Sequence, residues 1–190
     1  MPGNKETTAS GRELATLGAG CFWCIEPLFA ELKGVESAIS GYAGGSTDHP
    51  TYEDICTGST GHAEVVRVTF DPTIISYNEL LKVFFAIHDP TTLNRQGDDI
   101  GTQYRSVIFY HSADQRVVAE STIRETNAAN RDANPIVTEV VEAGPFYTAE
   151  NYHQEYFLKN GHEPYCQLAI APKLATFRKE FRDMLKIKLE

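Results

Sequence analysis

The segment GAGCFWC, Gly18 to Cys24, sets two cysteines and the only tryptophan of the chain directly behind a short apolar run, LATL. The reactive form of cysteine is the thiolate, and at a helix N-terminus that anion is favoured by unpaired backbone N–H groups and the positive dipole end. Cys21 follows a glycine turn and precedes residues spaced as one face of a helix, where this effect is expected. Pro27 is comfortable only in a helix's first turn, so the spacing leaves open whether Cys21 or Cys24 lies nearer the helix end. Three roles are compatible with the thiols: buried core residues, a redox-active Cys-x-x-Cys pair, or a zinc site drawing on Cys21, Cys24, Cys56, His62 or Cys166. Zinc is the weakest of the three, because structural sites carry a second tight ligand pair and the other ligands here are isolated; no metal is expected.

A set of polar residues that no core needs accompanies the thiols. Tyr52 and Glu64 flank the loop YEDICTGSTGHAE, Asp99 and Tyr104 lie in GDDIGTQYRS, and His153 and Tyr156 lie in ENYHQEYF. Taken singly, each has an ordinary explanation: a half-buried packing tyrosine, a solvated strand end, a surface histidine.

The elements that must position these residues follow from periodicity and punctuation. LATL is a strand, and after the glycine turn a helix carries Ile25, Leu28, Phe29 and Leu32 on one face, ended by Gly34. VESAISGY is the next strand, followed by a long loop from Ala43 to Gly61 and a strand from Ala63 to Phe70 that stops at Asp71-Pro72. Ser76 and Glu79 form a capping box for a helix with Leu80, Leu81, Phe84, Phe85 and Ile87 in the core. A second long loop, HDPTTLNRQGDDIGTQ, leads to the strand YRSVIFY, and Ser112 with Gln115 forms another capping box for a helix toward Asn127. IVTEVVE is the last strand, and APKLATFRKEFRDMLK is a closing helix with Phe177, Phe181, Met184 and Leu185 on one stripe. The order is that of an α/β chain, specifically a two-layer α+β, ferredoxin-like split β-α-β core with long loops and a C-terminal helix. Long loops of this kind tend to carry function.

Composition narrows the function classes. The 190 residues fit a single catalytic domain, 1–190, with residues 1–12 as a loosely ordered arm. With 26 acidic against 17 basic residues the net charge is -9, which opposes nucleic-acid binding. The opening MPGNKETTASGRE has no apolar core of signal-peptide length, and no apolar run is long enough to span a bilayer. No membrane association and a cytoplasmic location are therefore expected. GYAGGS makes neither a dinucleotide fingerprint nor a P-loop, and no cofactor is expected.

The segments GCFWC, GYAGG, PTYEDICTGSTGHAEVVRV, HDPTTLNRQGDDIGTQYRS, YHQEYF and PYCQLAIAPK, in that order, resemble the type A methionine sulfoxide reductases over about Leu14 to Phe181. Enzymes of that class reduce one epimer of methionine sulfoxide. The resemblance implies reduction of free and protein-bound methionine-S-sulfoxide, with Cys21 as nucleophile and Glu64 as the acid at the sulfoxide oxygen. It further implies Tyr52 and Tyr104 as hydrogen-bond donors, Phe22 and Trp23 as the wall for the methyl group, and Asp99 as a further polar residue of the pocket. His153 and Tyr156 fall in the matching motif YHQEYF and are expected to border the substrate. For this chemistry Glu64 must hold a proton while Cys21 has lost one, so burial has to raise the carboxyl pKa.

The Cys21 sulfenic acid so formed condenses with a second thiol. Cys166 matches the resolving cysteine in the tail of many family members and is preferred. Cys24 departs from the glycine common at its position and offers a second route, as does a relay through both. The resulting disulfide implies thioredoxin as external reductant, and the family default is a monomer. The competing function is a thioredoxin-like thiol-disulfide oxidoreductase using Cys21 and Cys24 alone, which has no need of Glu64, Tyr52 and Tyr104.

Overall fold

The computed structural model describes residues 11–130 and 133–186. Of the expected N-terminal arm, residues 1–10 lie outside the described residues. Arg12 is not loose, because its guanidinium is paired with Glu36 (2.5 Å) and Asp71 (2.9 Å).

The chain builds β1 (Glu13–Ala19), α1 (Phe22–Ala30), β2 (Val35–Ala43), α2 (Tyr52–Cys56), β3 (Ala63–Phe70) and α3 (Tyr77–Ala86). There follow a small hairpin, β4 (Arg95–Gln96) with β5 (Asp99–Ile100), then β6 (Ser106–Tyr110), α4 (Ala113–Ala129), β7 (Glu139–Glu142) and β8 (Phe146–Thr148). Last come α5 (Tyr156–Asn160), a π-helical turn (Cys166–Ile170) and α6 (Ala171–Glu180). Six strands form one sheet in the order β7-β6-β1-β3-β2-β8, antiparallel throughout except for the β6–β7 pair. Strands β1 and β2 run the same way with β3 between them. That is the split β-α-β arrangement anticipated from the element order.

Alternation along the strands divides the sheet into two faces. Ala15, Leu17, Val66, Val68, Phe70 and Ile108 face the helices and share one core with Ile25, Leu28 and Phe29 of α1 and Leu80, Leu81 and Phe84 of α3. Ala63, Val65, Val107 and Phe109 face the other way, into a smaller cluster. Glu64 shares the parity of Val66 and Val68, so β3 sends a carboxyl group into the layer between the sheet and α1.

Several local expectations change. The segment from Ala43 to Gly61 is not all loop: Thr51 and Asp54 form a reciprocal capping box that opens α2 and buries Ile55. Ser112 accepts from the Gln115 backbone, but the Gln115 side chain reaches His111 N and Leu14 O instead of closing a box. IVTEVVE shortens to β7, and it is not the last strand, since β8 adds at the opposite edge through Gly41, Tyr42 and Ala43 of β2. The closing helix ends at Glu180. Leu185 leaves its stripe to bridge Leu32, while the Lys33 N–H bonds Met184 O and ties the tail back to the end of α1.

The β2–β8 contact is tight enough to require glycine. A Cβ on Gly41 would lie 2.3 Å from the Phe146 ring and 2.6 Å from the backbone oxygen of Tyr147, and the latter cannot move without breaking the strand pair. Gly41→Ala is expected to lower stability by about 1–3 kcal/mol in denaturant unfolding, the usual cost of overpacking.

Candidate active site

Cys21 is the N-cap of α1, which settles the position left open by Pro27: the helix starts at Phe22 and Pro27 lies well inside it. No side chain caps this end and no acidic residue sits in its first turn. The orphan N–H of Phe22 instead donates to Glu64 Oε2 at 3.0 Å, and the N–H of Cys24 donates to Cys21 O. Glu64 is 2 % exposed, and burial pushes its carboxyl up to about 8, helped by negative charge on Asp99 and Cys24 and opposed by the Phe22 N–H. At neutral pH this group holds its proton.

The two thiols are close enough that each acts on the ionisation of the other, so they titrate as a pair. The Cys21 thiol, the Tyr165 hydroxyl 3.6 Å from its sulfur and the nearby Lys173 ammonium bring Cys24 down to about 7, against burial. The Cys24 thiol, burial and the negative charge of Glu64 raise the Cys21 thiol. Protonation of Glu64 removes that last repulsion and leaves Cys21 at the helix N-terminus, which favours its anion. Tyr165 and Lys173 were not singled out from sequence, although they sit one residue and seven residues beyond PYCQLAIAPK's Pro164 and Cys166 respectively. Cys166 itself is wholly buried in the π-helical turn.

The expected phenols gather around Glu64. Tyr104 feels the charges of Glu64, Asp99 and Cys21, and burial first, then those charges, raise its hydroxyl. Tyr52, the first residue of α2, is raised by burial and by a hydrogen bond to the exposed Cys56 thiol, with Glu64 and Tyr104 also nearby. Asp99 comes in on the β4–β5 hairpin. Gln96 pins that hairpin by bonding Asp89 through both ends of its amide, and its stem packs on Gly20, where a Cβ would meet it at 2.7 Å. Gly20 has φ +89, so both space and backbone demand glycine there.

The aromatic residues separate into wall and floor. Trp23 is half-buried, with Tyr156 stacked on it at 3.8 Å and 5° and Tyr165 edge-on at 5.8 Å. Phe22 is 1 % exposed and packs against Tyr42 and His153, so its ring forms the floor beneath the wall. His153 also lies below the surface, fully buried, and does not border open space. His62, a possible zinc ligand by sequence, spends both ring nitrogens on Gly45 N–H and Thr47 O. Among the described residues no three His, Cys, Asp or Glu side chains cluster as a metal site.

A thiol pair alone would serve disulfide exchange, but a buried carboxylic acid and two phenols converging on it have no part in that reaction. Fold and site together have the parts of a dithiol reductase: a thiol pair at a helix end with a buried acid beside it. The sequence profile described as peptide methionine sulfoxide reductase matches residues 13–185, and the chain belongs to that family. It is 55% identical over 175 residues to a peptide methionine sulfoxide reductase MsrA of Saccharolobus solfataricus, covering 92% of this chain and 98% of that protein. Among solved structures, reduced Mxr1 from Saccharomyces cerevisiae superposes with TM-score 0.76 at 39% identity, covering 85% of this chain and 92% of that one. Mxr1 in complex with Trx2 superposes with TM-score 0.54 at 28% identity, covering 80% and 88%.

Removing a hydrogen bond to the thiolate should raise the pKa of the pair. In Tyr165→Phe the ionisation assigned to Cys24 is expected to move above about 7, read by titrating ultraviolet thiolate absorbance; an unmoved midpoint would remove Tyr165 from this role.

Proposed function

We propose that this chain reduces methionine-S-sulfoxide, free and in proteins, with Cys21 as nucleophile and Glu64 as general acid. The observation that carries this assignment is the buried Glu64 carboxyl, held beneath the nucleophile's own helix by the Phe22 N–H in a setting that favours its protonated form. Sulfoxide sulfur becomes electrophilic as its oxygen gains a proton, so acid and thiolate have to be present together. As Cys21 attacks the sulfur, its proton passes to the Cys24 thiolate, the Glu64 proton goes to the sulfoxide oxygen, and Tyr52 and Tyr104 donate hydrogen bonds to that oxygen. The hydroxyl then passes from the substrate sulfur to the Cys21 sulfur as the bond between the two sulfurs breaks, so methionine leaves and Cys21 is a sulfenic acid. Trp23 receives the substrate methyl group, and Asp99 orients the rest of the substrate.

Resolution follows from what touches Cys21. Cys24 lies one helical turn away and close enough to act on its ionisation, whereas Cys166 is buried in a turn that has to open first. We therefore order the steps as Cys21–Cys24 disulfide formation with loss of water, then transfer to Cys24–Cys166, freeing Cys21. A dithiol protein reduces the final disulfide; thioredoxin is the fitting reductant, in line with the Trx2 complex of the Mxr1 relative. The protein would work as a single-domain monomer in the reducing cytoplasm, with no cofactor of its own.

Activity is expected to be bell-shaped in pH. It rises as the thiol pair ionises through about 7 and falls as Glu64 loses its proton through about 8. Glu64→Gln should remove the alkaline limb and lower kcat/KM by about 10²–10⁴-fold; retention of that limb would take the acid role from Glu64.

The order of thiols is read by single turnover of reduced protein with the S epimer, counting methionine formed and thiols lost. Cys166→Ser should still lose two thiols for the first methionine, while Cys24→Ser loses them more slowly. Thiol loss at the wild-type rate in Cys24→Ser would instead make Cys166 the first resolver.

A further inference from the structure

An acid and two hydroxyl donors that serve one oxygen need a fixed mutual spacing, yet they arrive here on separate elements. Glu64 comes from β3, Tyr52 from α2, and Tyr104 from the single turn Thr102–Tyr104 between β5 and β6. That turn is closed internally, by the Tyr104 N–H on Gly101 O at 3.0 Å and the Arg105 N–H on Thr102 O at 3.3 Å. Neither bond reaches the acid's strand. Toward α2 the Thr102 hydroxyl donates to Gly58 O across a long 3.4 Å.

Arg105, which the proposed chemistry does not use, spans the gap. Its side chain is 11 % exposed, and its guanidinium donates in three directions. Nη1 donates to Thr102 O at 2.9 Å, within the Tyr104 turn. Nη2 donates to Gly61 O at 3.1 Å, three residues before Glu64, and Nε donates to Glu139 Oε2 at 3.3 Å, at the start of β7. A planar fork can hold two carbonyls of separate segments at once, which a point charge on a flexible stem does poorly. The far end of this bridge is firm. The Ser46 N–H donates to Thr60 O at 3.0 Å, the Gly45 N–H to His62 Nδ1 at 3.0 Å, and His62 Nε2 to Thr47 O at 2.8 Å. Gly61 therefore lies between two residues stitched to the segment that follows β2. A Cβ on Gly44 would come within 3.0 Å of Nη2, so this glycine of the GYAGG motif leaves the guanidinium its path.

We propose that Arg105 is a positioning residue for sulfoxide reduction: by joining Thr102 O to Gly61 O it fixes the Tyr104 hydroxyl against the Glu64 carboxyl, so that both meet one sulfoxide oxygen. The proposal rests on the functional reading above, in which Glu64 protonates that oxygen and Tyr104 donates to it. A donor aimed at an oxygen that gains charge during reaction matters most in the transition state, so its displacement lowers kcat more than it raises KM.

Steady-state kinetics of the full chain with the S epimer test it. Arg105→Met keeps much of the stem and removes the donors; it should lower kcat by about twofold to tenfold, the range for one hydrogen bond, with KM close to wild type. Because the effect runs through Tyr104, the same substitution in a Tyr104→Phe background should cost less than about twofold. The alkaline limb is the third readout. It is set by burial of Glu64, the Phe22 N–H, Asp99 and Cys24, and should stay near about 8 in Arg105→Met. A guanidinium that only kept the pocket shut would, once removed, let water reach Glu64 and carry the limb to lower pH. Wild-type kcat in Arg105→Met, losses that multiply in the double variant, or a limb that moves down overturns the proposal. If Arg105→Met does not fold, Arg105→Lys, which keeps the charge without the fork, is measured in its place: a loss that vanishes in the Tyr104→Phe background supports the bridge, and wild-type activity or a multiplying loss overturns it. A wild-type protein that leaves the S epimer unreduced defeats the functional reading instead.

Discussion

Glu64 is sunk beneath the first turn of α1, and the arrangement around it favours a proton there while a thiolate forms at the end of the same helix. Two demands pull in opposite directions. The carboxyl needs a dry setting to stay neutral, whereas an anionic sulfur needs donors and positive charge. The fold meets them by giving the two thiols different balances of the same neighbours. Glu64 opposes charge on Cys21, while Tyr165 and Lys173 favour it on Cys24, and Tyr165 favours the Cys21 anion as well. The mutual influence of the two sulfurs lets charge settle where it is stabilised and pass to where it reacts.

The position of Glu64 depends on strand parity more than on any single contact. A carboxyl on the same face as Val66 and Val68 is an odd choice for a core strand, and only a partner with a spare donor makes it tolerable. The helix α1 supplies that donor because nothing else caps it. Loss of a conventional N-cap and burial of an acid, each unfavourable alone, offset one another.

Much of this was legible in the residues. Alternation in AEVVRVTF, the capping box at Ser76 and Glu79, and the glycine turn before Cys21 place β3, α3 and α1 within a residue or two of where they lie. Periodicity failed where elements are too short to show a period. The five residues of α2 and the three of β8 are stabilised by their neighbours, through the Ile55 side chain and the strand pairing to β2. The site residues Cys21, Glu64, Tyr52, Tyr104 and Asp99 could be gathered by resemblance, but burial could not be read from it. Phe22 and His153 stand below the wall and not on it. Tyr165 and Lys173 act on Cys24 from a tail whose path across the site depends on the π-helical turn and has no local signature.

The wide sequence separation of Cys21 and Glu64 has a consequence for the life of the chain before it is folded. Neither group is unusual in an extended polypeptide, where a thiol has a pKa near 9.0 and a glutamate near 4.5. Their special states require β1, β3 and α1 to be joined, an assembly of distant segments that forms late compared with local turns and helices. A nascent or partly unfolded molecule therefore carries mostly protonated, sluggish thiols at neutral pH. Its cysteines gain their sensitivity to oxygen-bearing sulfur only when the sheet that gives it a purpose has closed, so an unfinished copy is protected from the chemistry it will later perform.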